Sequence, residues 1–173
     1  QVLGDQTSVS INYPTLVEAL KPGDRILLAD GELELSVRAK TETDVHCEVI
    51  VGGELKSHKG INVPGVALTT PVPTQKDIAD LIFGIQHGVD WVTQSFVRNA
   101  DELRVLRTII RQNGSDVPII AKIEKREALD DLDGLIAEAD GIMIGRGDLG
   151  LEIPIQEVPL AQKEIIKRAN LAG

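Results

Sequence analysis

The sequence has little cysteine, few aromatic residues, a shortage of basic charge and no long hydrophobic run. Its single cysteine, Cys47, excludes an internal disulfide framework and a zinc site built from several thiolates. Lysine and arginine number 18 against 27 aspartates and glutamates, a net charge of −9 that argues against nucleic acid and anionic membranes as partners. No apolar stretch approaches the roughly 20 residues of a membrane helix, and no signal-peptide pattern opens the chain. We therefore expect a protein of the reducing cytoplasm.

Residues 1 to about 65 have the pattern of short β-strands joined by turns. From Glu32 to Ala39 apolar and polar side chains alternate, and this period of two indicates a half-buried strand. Residues 45–51 repeat the alternation. The pair Asp30-Gly31, placed between apolar runs, is typical of a tight hairpin. This region is predicted to form a compact antiparallel barrel or sandwich.

From about residue 66 onward, helical and strand patterns alternate. The predicted helices cover residues 74–88, 101–113, 125–138 and 156–170, and the predicted strands cover residues 90–95, 117–123 and 141–144. Such alternation implies an α/β fold in which helices cover a parallel sheet. An open doubly wound sheet and a (β/α)8 barrel both fit this pattern.

Polar residues follow each of the three predicted strands. Ser95 follows the first, Lys122 and Glu124 end the second, and Arg146-Gly147-Asp148 follow the third. Functional groups at the carboxyl ends of several consecutive strands are typical of barrel enzymes, whereas an open sheet concentrates its site at one switch point. The barrel is therefore the favoured prediction.

Two of these polar stretches could together hold a metal ion. Strand alternation places Lys122 and Glu124 on one face, where the alternative is a solvated ion pair. The glycine-rich run around Gly147 and Asp148 permits close approach of a ligand, and the alternative is a plain turn with Asp148 as helix N-cap. Glu124 and Asp148 would lie ~5 Å apart on adjacent strands. Two carboxylates favour Mg²⁺ or Mn²⁺ over zinc, and such a site suits a substrate that builds anionic charge.

Several stretches in collinear order resemble the pyruvate kinase family. They are residues 57–65 (SHKGINVPG), 88–92 (GVDWV), 95–98 (SFVR), 121–124 (AKIE) and 140–154 (DGIMIGRGDLGLEIP). The resemblance implies a glycolytic enzyme that transfers a phosphoryl group from phosphoenolpyruvate to ADP, giving pyruvate and ATP. It further implies a requirement for Mg²⁺ or Mn²⁺, with K⁺ as a second cation, and a homo-oligomer, typically a tetramer.

The resemblance also assigns roles to residues. It implies that Glu124 and Asp148 bind the metal ion, and that Lys122 is the catalytic residue that neutralises the transferring phosphoryl group and stabilises the enolate. The backbone at Arg146, Gly147 and Asp148 would receive the substrate carboxylate. Lys59 resembles a nucleotide-contacting lysine near a lid hinge, and Asp30 resembles an acid of the lid.

In domain terms, the resemblance implies a β-rich lid domain, a small β-barrel, at residues 1–65 and part of a (β/α)8 barrel at residues 66–173. A complete barrel needs ~250 residues, so further barrel strands would precede Gln1 and follow Gly173. Two positions depart from the family pattern: Gly145 replaces a usual alanine and Lys125 replaces a common asparagine.

Two alternatives to this function stay open at this point. One is another Mg²⁺-dependent barrel enzyme that forms an enolate, an aldolase or lyase, which would use the same metal and helix start without a nucleotide. The other is a catalytically silent fragment that binds a ligand or partner chains.

Overall fold

Two units, Gln1–Thr69 and Thr70–Gly173, make up the chain, and each contains one sheet. The computed structural model describes residues 4–13, 15–66, 68 and 72–173. Helices and strands occur together, so the chain has the expected α/β class. None of the helices in the described residues combines the length and the apolar character that a membrane crossing requires.

The first unit contains a four-stranded antiparallel sheet in the order β3-β2-β1-β4. Its elements are α1 (Thr15–Ala19), β1 (Arg25–Leu28), β2 (Leu33–Lys40), β3 (Val45–Val51) and β4 (Ile61–Asn62). The predicted hairpin is confirmed, because Leu28 pairs with Leu33 across a loop in which Ala29, Asp30 and Gly31 all have positive φ. The strands pack on a core of Leu16, Leu20, Ile26, Leu28, Ala29, Leu33, Val37 and Val63.

The second unit alternates helices and strands, as its sequence pattern predicts. Its elements are α2 (Gln75–Gln86), β5 (Val92–Gln94), α3 (Ala100–Gln112), β6 (Ile119–Ile123), α4 (Arg126–Asp130), α5 (Leu132–Glu138), β7 (Gly141–Ile144), α6 (Arg146–Glu152), a 3₁₀ turn (Ile155–Glu157) and α7 (Val158–Ala172). Strands β5, β6 and β7 form one parallel sheet with β6 in the middle.

The strand register decides where the functional groups of this unit meet. Gln94 at the end of β5 pairs with Ala121, and Ile123 at the end of β6 pairs with Ile144. The three carboxyl ends therefore lie at one edge of the sheet. Beneath that edge, helices and strands enclose a continuous apolar core, which fixes β6 between its neighbours.

The helix predicted over residues 125–138 is interrupted, and that prediction is wrong at Asp131. The backbone of Asp131 leaves the helical region (φ −112°, ψ 32°), which separates α4 from α5. Its carboxylate accepts a hydrogen bond from the Ala100 amide at 2.7 Å, at the first turn of α3. The break lets one acidic side chain satisfy a free N–H group on a helix 31 residues earlier.

Candidate active site

Glu124, directly after β6, is the most deeply buried charged residue in the described part of the chain. None of its surface is exposed. Its Oε2 accepts a hydrogen bond from the Phe96 amide at 2.9 Å. Its Oε1 lies 2.5 Å from Nζ of Lys122, yet it makes no hydrogen bond within the described residues. The contact is an ion pair whose angles do not suit a hydrogen bond.

The Phe96 amide reaches Glu124 because the chain turns sharply after β5. Phe96 has φ of 53°, in the left-handed region that a bulky residue rarely adopts. This conformation aims the N–H group across the sheet edge at a carboxylate 28 residues away. Oε2 of Glu124 is thereby anchored to the backbone, and Oε1 faces Lys122.

Lys122 lies on the same side of β6 as Glu124, as the strand alternation predicts. Its side chain is 28% exposed, so the ammonium group remains accessible from solvent. The close contact with Glu124 raises the pKa of Lys122, and the charge of Asp148 acts in the same direction. The ammonium is therefore held in its charged form. The alternative of a solvated pair is wrong, because the carboxylate partner is fully buried.

Asp148 lies in the first turn of α6, the helix that follows β7. Burial raises the pKa of Asp148, and the neighbouring Glu124 carboxylate raises it further. The two carboxyl groups are thus close neighbours at the ends of adjacent strands. The N-cap of α6 is Gly145, which provides no side-chain hydrogen bond, so the alternative with Asp148 as N-cap is wrong.

This donor set suits a hard divalent cation. The ionised Glu124 and Asp148 carboxyl groups repel each other, and Lys122 supplies only one positive charge beside the two of them, so a bound cation would stabilise the pair. Oxygen donors of this kind are the ligands that Mg²⁺ and Mn²⁺ prefer. Among the described residues, no group of three or more His, Cys, Asp or Glu side chains could hold a metal. Glu124 and Asp148 would therefore be aided by water or substrate oxygens, which is how Mg²⁺ is usually bound.

Gly145 leaves room for this arrangement. A Cβ atom at position 145 would lie 2.5 Å from Cγ and 2.6 Å from Oε1 of Glu124, far inside ordinary contact. The observed orientation of the Glu124 side chain thus requires glycine at this position. The glycine that stands at position 145 in place of the usual alanine therefore makes room for the Glu124 side chain.

The structure reveals a second ion pair that the sequence reasoning did not find. Lys125 directly follows Glu124, and its ammonium contacts the carboxylate of Glu152 at the last residue of α6. The pair is largely buried, with 21% of the Lys125 side chain and 5% of the Glu152 side chain exposed. Residues 124–127 are all charged, so the sequence did not distinguish Lys125 from its neighbours, and nothing in the spacing identified its partner.

Of the remaining predicted site residues, Asp30 and Lys59 lie in the first unit, and Arg146 and Gly147 lie in the second. Asp30 is exposed at the tip of the β1–β2 hairpin, and Lys59 is exposed just before β4. Arg146 and Gly147 begin α6 in the second unit, next to Asp148. Lys122, Glu124, Asp148, Arg146 and Gly147 thus belong to one sheet edge.

Comparison with known proteins decides the family. A family model described as "Pyruvate kinase, barrel domain" matches residues 1–173. The chain belongs to the pyruvate kinase family. Pyruvate kinase of Clostridium perfringens is 48% identical over 174 residues, which cover 100% of this chain and 37% of the relative. Pyruvate kinase 2 of Synechocystis is 47% identical over 170 residues, which cover 97% of this chain and 29% of the relative.

Membership of the pyruvate kinase family confirms the resemblance carried by the AKIE and DGIMIGRGDLGLEIP stretches. Pyruvate kinase of Geobacillus stearothermophilus is also similar, at 43% identity over 176 residues, or 100% of this chain and 30% of that protein. The chain thus spans about a third of the length of these curated relatives. The family is a family of kinases, and the chain carries its motifs from residue 57 to residue 154.

Proposed function

We propose that the protein containing this chain is a glycolytic pyruvate kinase, which transfers a phosphoryl group from phosphoenolpyruvate to ADP and yields pyruvate and ATP. One observation carries the proposal. Lys122, Glu124 and Asp148 meet at the carboxyl ends of β6 and β7, and the buried Glu124 has one oxygen without a hydrogen bond. Catalytic groups of barrel enzymes gather at this end of the strands.

Glu124 and Asp148 would hold Mg²⁺ or Mn²⁺, and the family resemblance adds K⁺ as a second cation. When bound, the divalent cation supplies positive charge against the phosphoryl oxygens and the developing enolate. Its two protein ligands are preorganised. Glu124 is anchored by the Phe96 amide, and Asp148 is fixed by its place in the first turn of α6.

Lys122 would be the catalytic residue. Its ammonium group is held charged by two neighbouring carboxyl groups, and it remains partly exposed toward a substrate. A fixed positive charge at this position opposes the negative charge that builds on the phosphoryl group in flight and on the enolate oxygen left behind. The backbone at Arg146, Gly147 and Asp148 would receive the substrate carboxylate, a role that rests on the resemblance.

The resemblance also supports the domain assignment within this proposal. Residues 1–65 would form the β-barrel lid domain and residues 66–173 part of the (β/α)8 barrel, in a cytoplasmic homo-oligomer. Lys59 and Asp30 would contact the nucleotide. A lid of this kind excludes water, so that the phosphoryl group is delivered to ADP rather than to solvent.

The test is ATP formation from phosphoenolpyruvate and ADP by the full-length protein, with and without Mg²⁺. We expect turnover that requires the cation and phosphoenolpyruvate together. Exchange of the pyruvate methyl protons without any ATP formation would instead favour an enolate-forming aldolase or lyase. Absence of both activities in a folded protein would favour a silent binding chain, and either result would overturn the proposal.

A further inference from the structure

The Lys125–Glu152 ion pair connects the two chain segments that carry the proposed metal ligands. Lys125 is the residue directly after Glu124, and Glu152 is the last residue of α6, the helix whose first turn contains Asp148. The contact spans 27 residues of sequence. One ion pair thus bridges the end of β6 to the far end of the helix that follows β7.

Backbone and apolar contacts also hold α6 in place. At its start, the Gly145 amide donates to the Ile123 carbonyl at 3.0 Å, which continues the β6–β7 ladder. In its middle, Leu149 is fully buried in a small apolar cluster with Ile153 and Val158. This apolar packing, which includes Ile153 directly after Glu152, holds the helix in place, but it is non-directional. The ion pair supplies the directional contact.

Because the ion pair is largely buried, its loss would destabilise the end of α6. Only 5% of the Glu152 side chain is exposed, so removal of the Lys125 ammonium leaves a carboxylate without its charge partner and largely out of water. Glu152 would then turn toward solvent and carry the end of α6 with it. Because Asp148 lies one helical turn earlier on the same short helix, its carboxyl group would move relative to Glu124.

We propose that Lys125 and Glu152 are positioning residues, whose ion pair sets the separation and orientation of the Glu124 and Asp148 carboxylates and thereby the affinity for a divalent cation. This inference rests on the proposed function, since it takes those two carboxylates as the cation ligands. Contacts outside the ligand shell that orient the ligands characteristically govern metal affinity in this way.

The direction in which Lys125→Met changes the cation affinity distinguishes a positioning role from a purely electrostatic one. Lys125→Met removes a positive charge beside a cation site, so electrostatics alone predicts tighter cation binding. Positioning predicts weaker binding, because the two carboxylates lose their fixed separation. Lys125→Arg keeps the charge and the contact with Glu152, and it is expected to restore the affinity.

The experiment is a titration of the full-length protein with Mn²⁺, in which the free ion is followed by electron paramagnetic resonance. We expect Lys125→Met to weaken Mn²⁺ binding about tenfold and Lys125→Arg to recover most of that loss. Should the methionine variant fail to fold, Lys125→Gln takes its place under the same criteria. Unchanged or tighter binding by the neutral variant would overturn the inference.

Two further variants distinguish failure of the positioning role from failure of the proposed cation site. Arg107→Met breaks the more exposed ion pair with Asp140, which lies at the amino ends of β6 and β7, and it should lower stability without changing Mn²⁺ affinity. Glu124→Gln should abolish the binding. If Glu124→Gln binds Mn²⁺ like the wild-type protein, the proposed cation site itself is wrong. If it loses the ion while Lys125→Met does not, only the positioning role fails.

Discussion

Replacement of Lys122 by methionine should destabilise the metal-free protein, although the side chain lies in a site rather than in the apolar core. Glu124 is fully buried, and its Oε1 has the Lys122 ammonium 2.5 Å away but no hydrogen bond. Methionine matches the length of the lysine stem and removes only the charge. The variant therefore leaves a buried carboxylate with one hydrogen bond, from the Phe96 amide, and a second carboxyl group nearby.

The size of this effect follows from the burial. Loss of one partner of a buried ion pair typically costs 3–5 kcal/mol. A carboxylate can also escape by taking up a proton, which at pH 7 limits the loss to roughly 4 kcal/mol for an ordinary glutamic acid. Lys122 itself is 28% exposed, and solvent already screens part of the attraction. We therefore expect a loss of about 3 kcal/mol in the free energy of unfolding.

The assay is urea unfolding of the full-length protein at pH 7 in the presence of a chelator, repeated with excess Mg²⁺. The cation should recover more stability in Lys122→Met than in the wild-type protein, since it replaces the missing positive charge. Lys76→Met is the matched control, because the Lys76–Asp80 pair is exposed on both sides and should change stability by less than about 0.5 kcal/mol. Equal stability of Lys122→Met and wild type would show that the Lys122 charge does not stabilise the buried Glu124 carboxylate.

Two further predictions concern Gly145 and Asp77. Gly145→Ala should lower stability by about 1–3 kcal/mol in urea unfolding, because the new Cβ overlaps the Glu124 side chain; a more stable variant would contradict the observed rotamer. The hydrogen bonds with Thr74 lower the pKa of Asp77. The stability that the Asp77 carboxylate contributes to the folded protein is therefore present above the ordinary aspartate pKa, and it is lost as the pH falls through the lowered pKa of the folded state. Asp77→Asn should reduce the acid dependence of the urea midpoint between pH 6 and pH 3, and an unchanged profile would contradict this.

The sequence pattern was sufficient for features that depend on local periodicity. The β1–β2 hairpin, the parallel β5–β6–β7 sheet and the shared face of Lys122 and Glu124 all follow from alternation and from turn residues. The family motifs then indicated which of the polar strand ends carry function. The hairpin and the shared face could be predicted because a few consecutive residues determine each of them, and the parallel pairing follows from the alternation of strands and helices along the chain.

The features that escaped prediction depend on contacts between distant residues. The hydrogen bond from the Phe96 amide to Glu124 spans 28 residues, and it requires a backbone conformation that no local signal predicts for phenylalanine. Asp131 interrupts a helix to reach the Ala100 amide, 31 residues away. Periodicity favoured a continuous helix there, because it contains no information on partners outside the segment.

We propose a division of roles in which Lys122 acts on the transferring phosphoryl group and Glu124 and Asp148 hold the cation. Its most direct test is the turnover of phosphoenolpyruvate and ADP by Lys122→Met in the full-length protein, with Mn²⁺ affinity measured on the same sample. We expect kcat to fall at least about 10³-fold, the range seen when a group stabilising transition-state charge is removed, while Mn²⁺ binds at least as tightly as in the wild-type protein. Retained turnover with intact Mn²⁺ binding would contradict this division of roles.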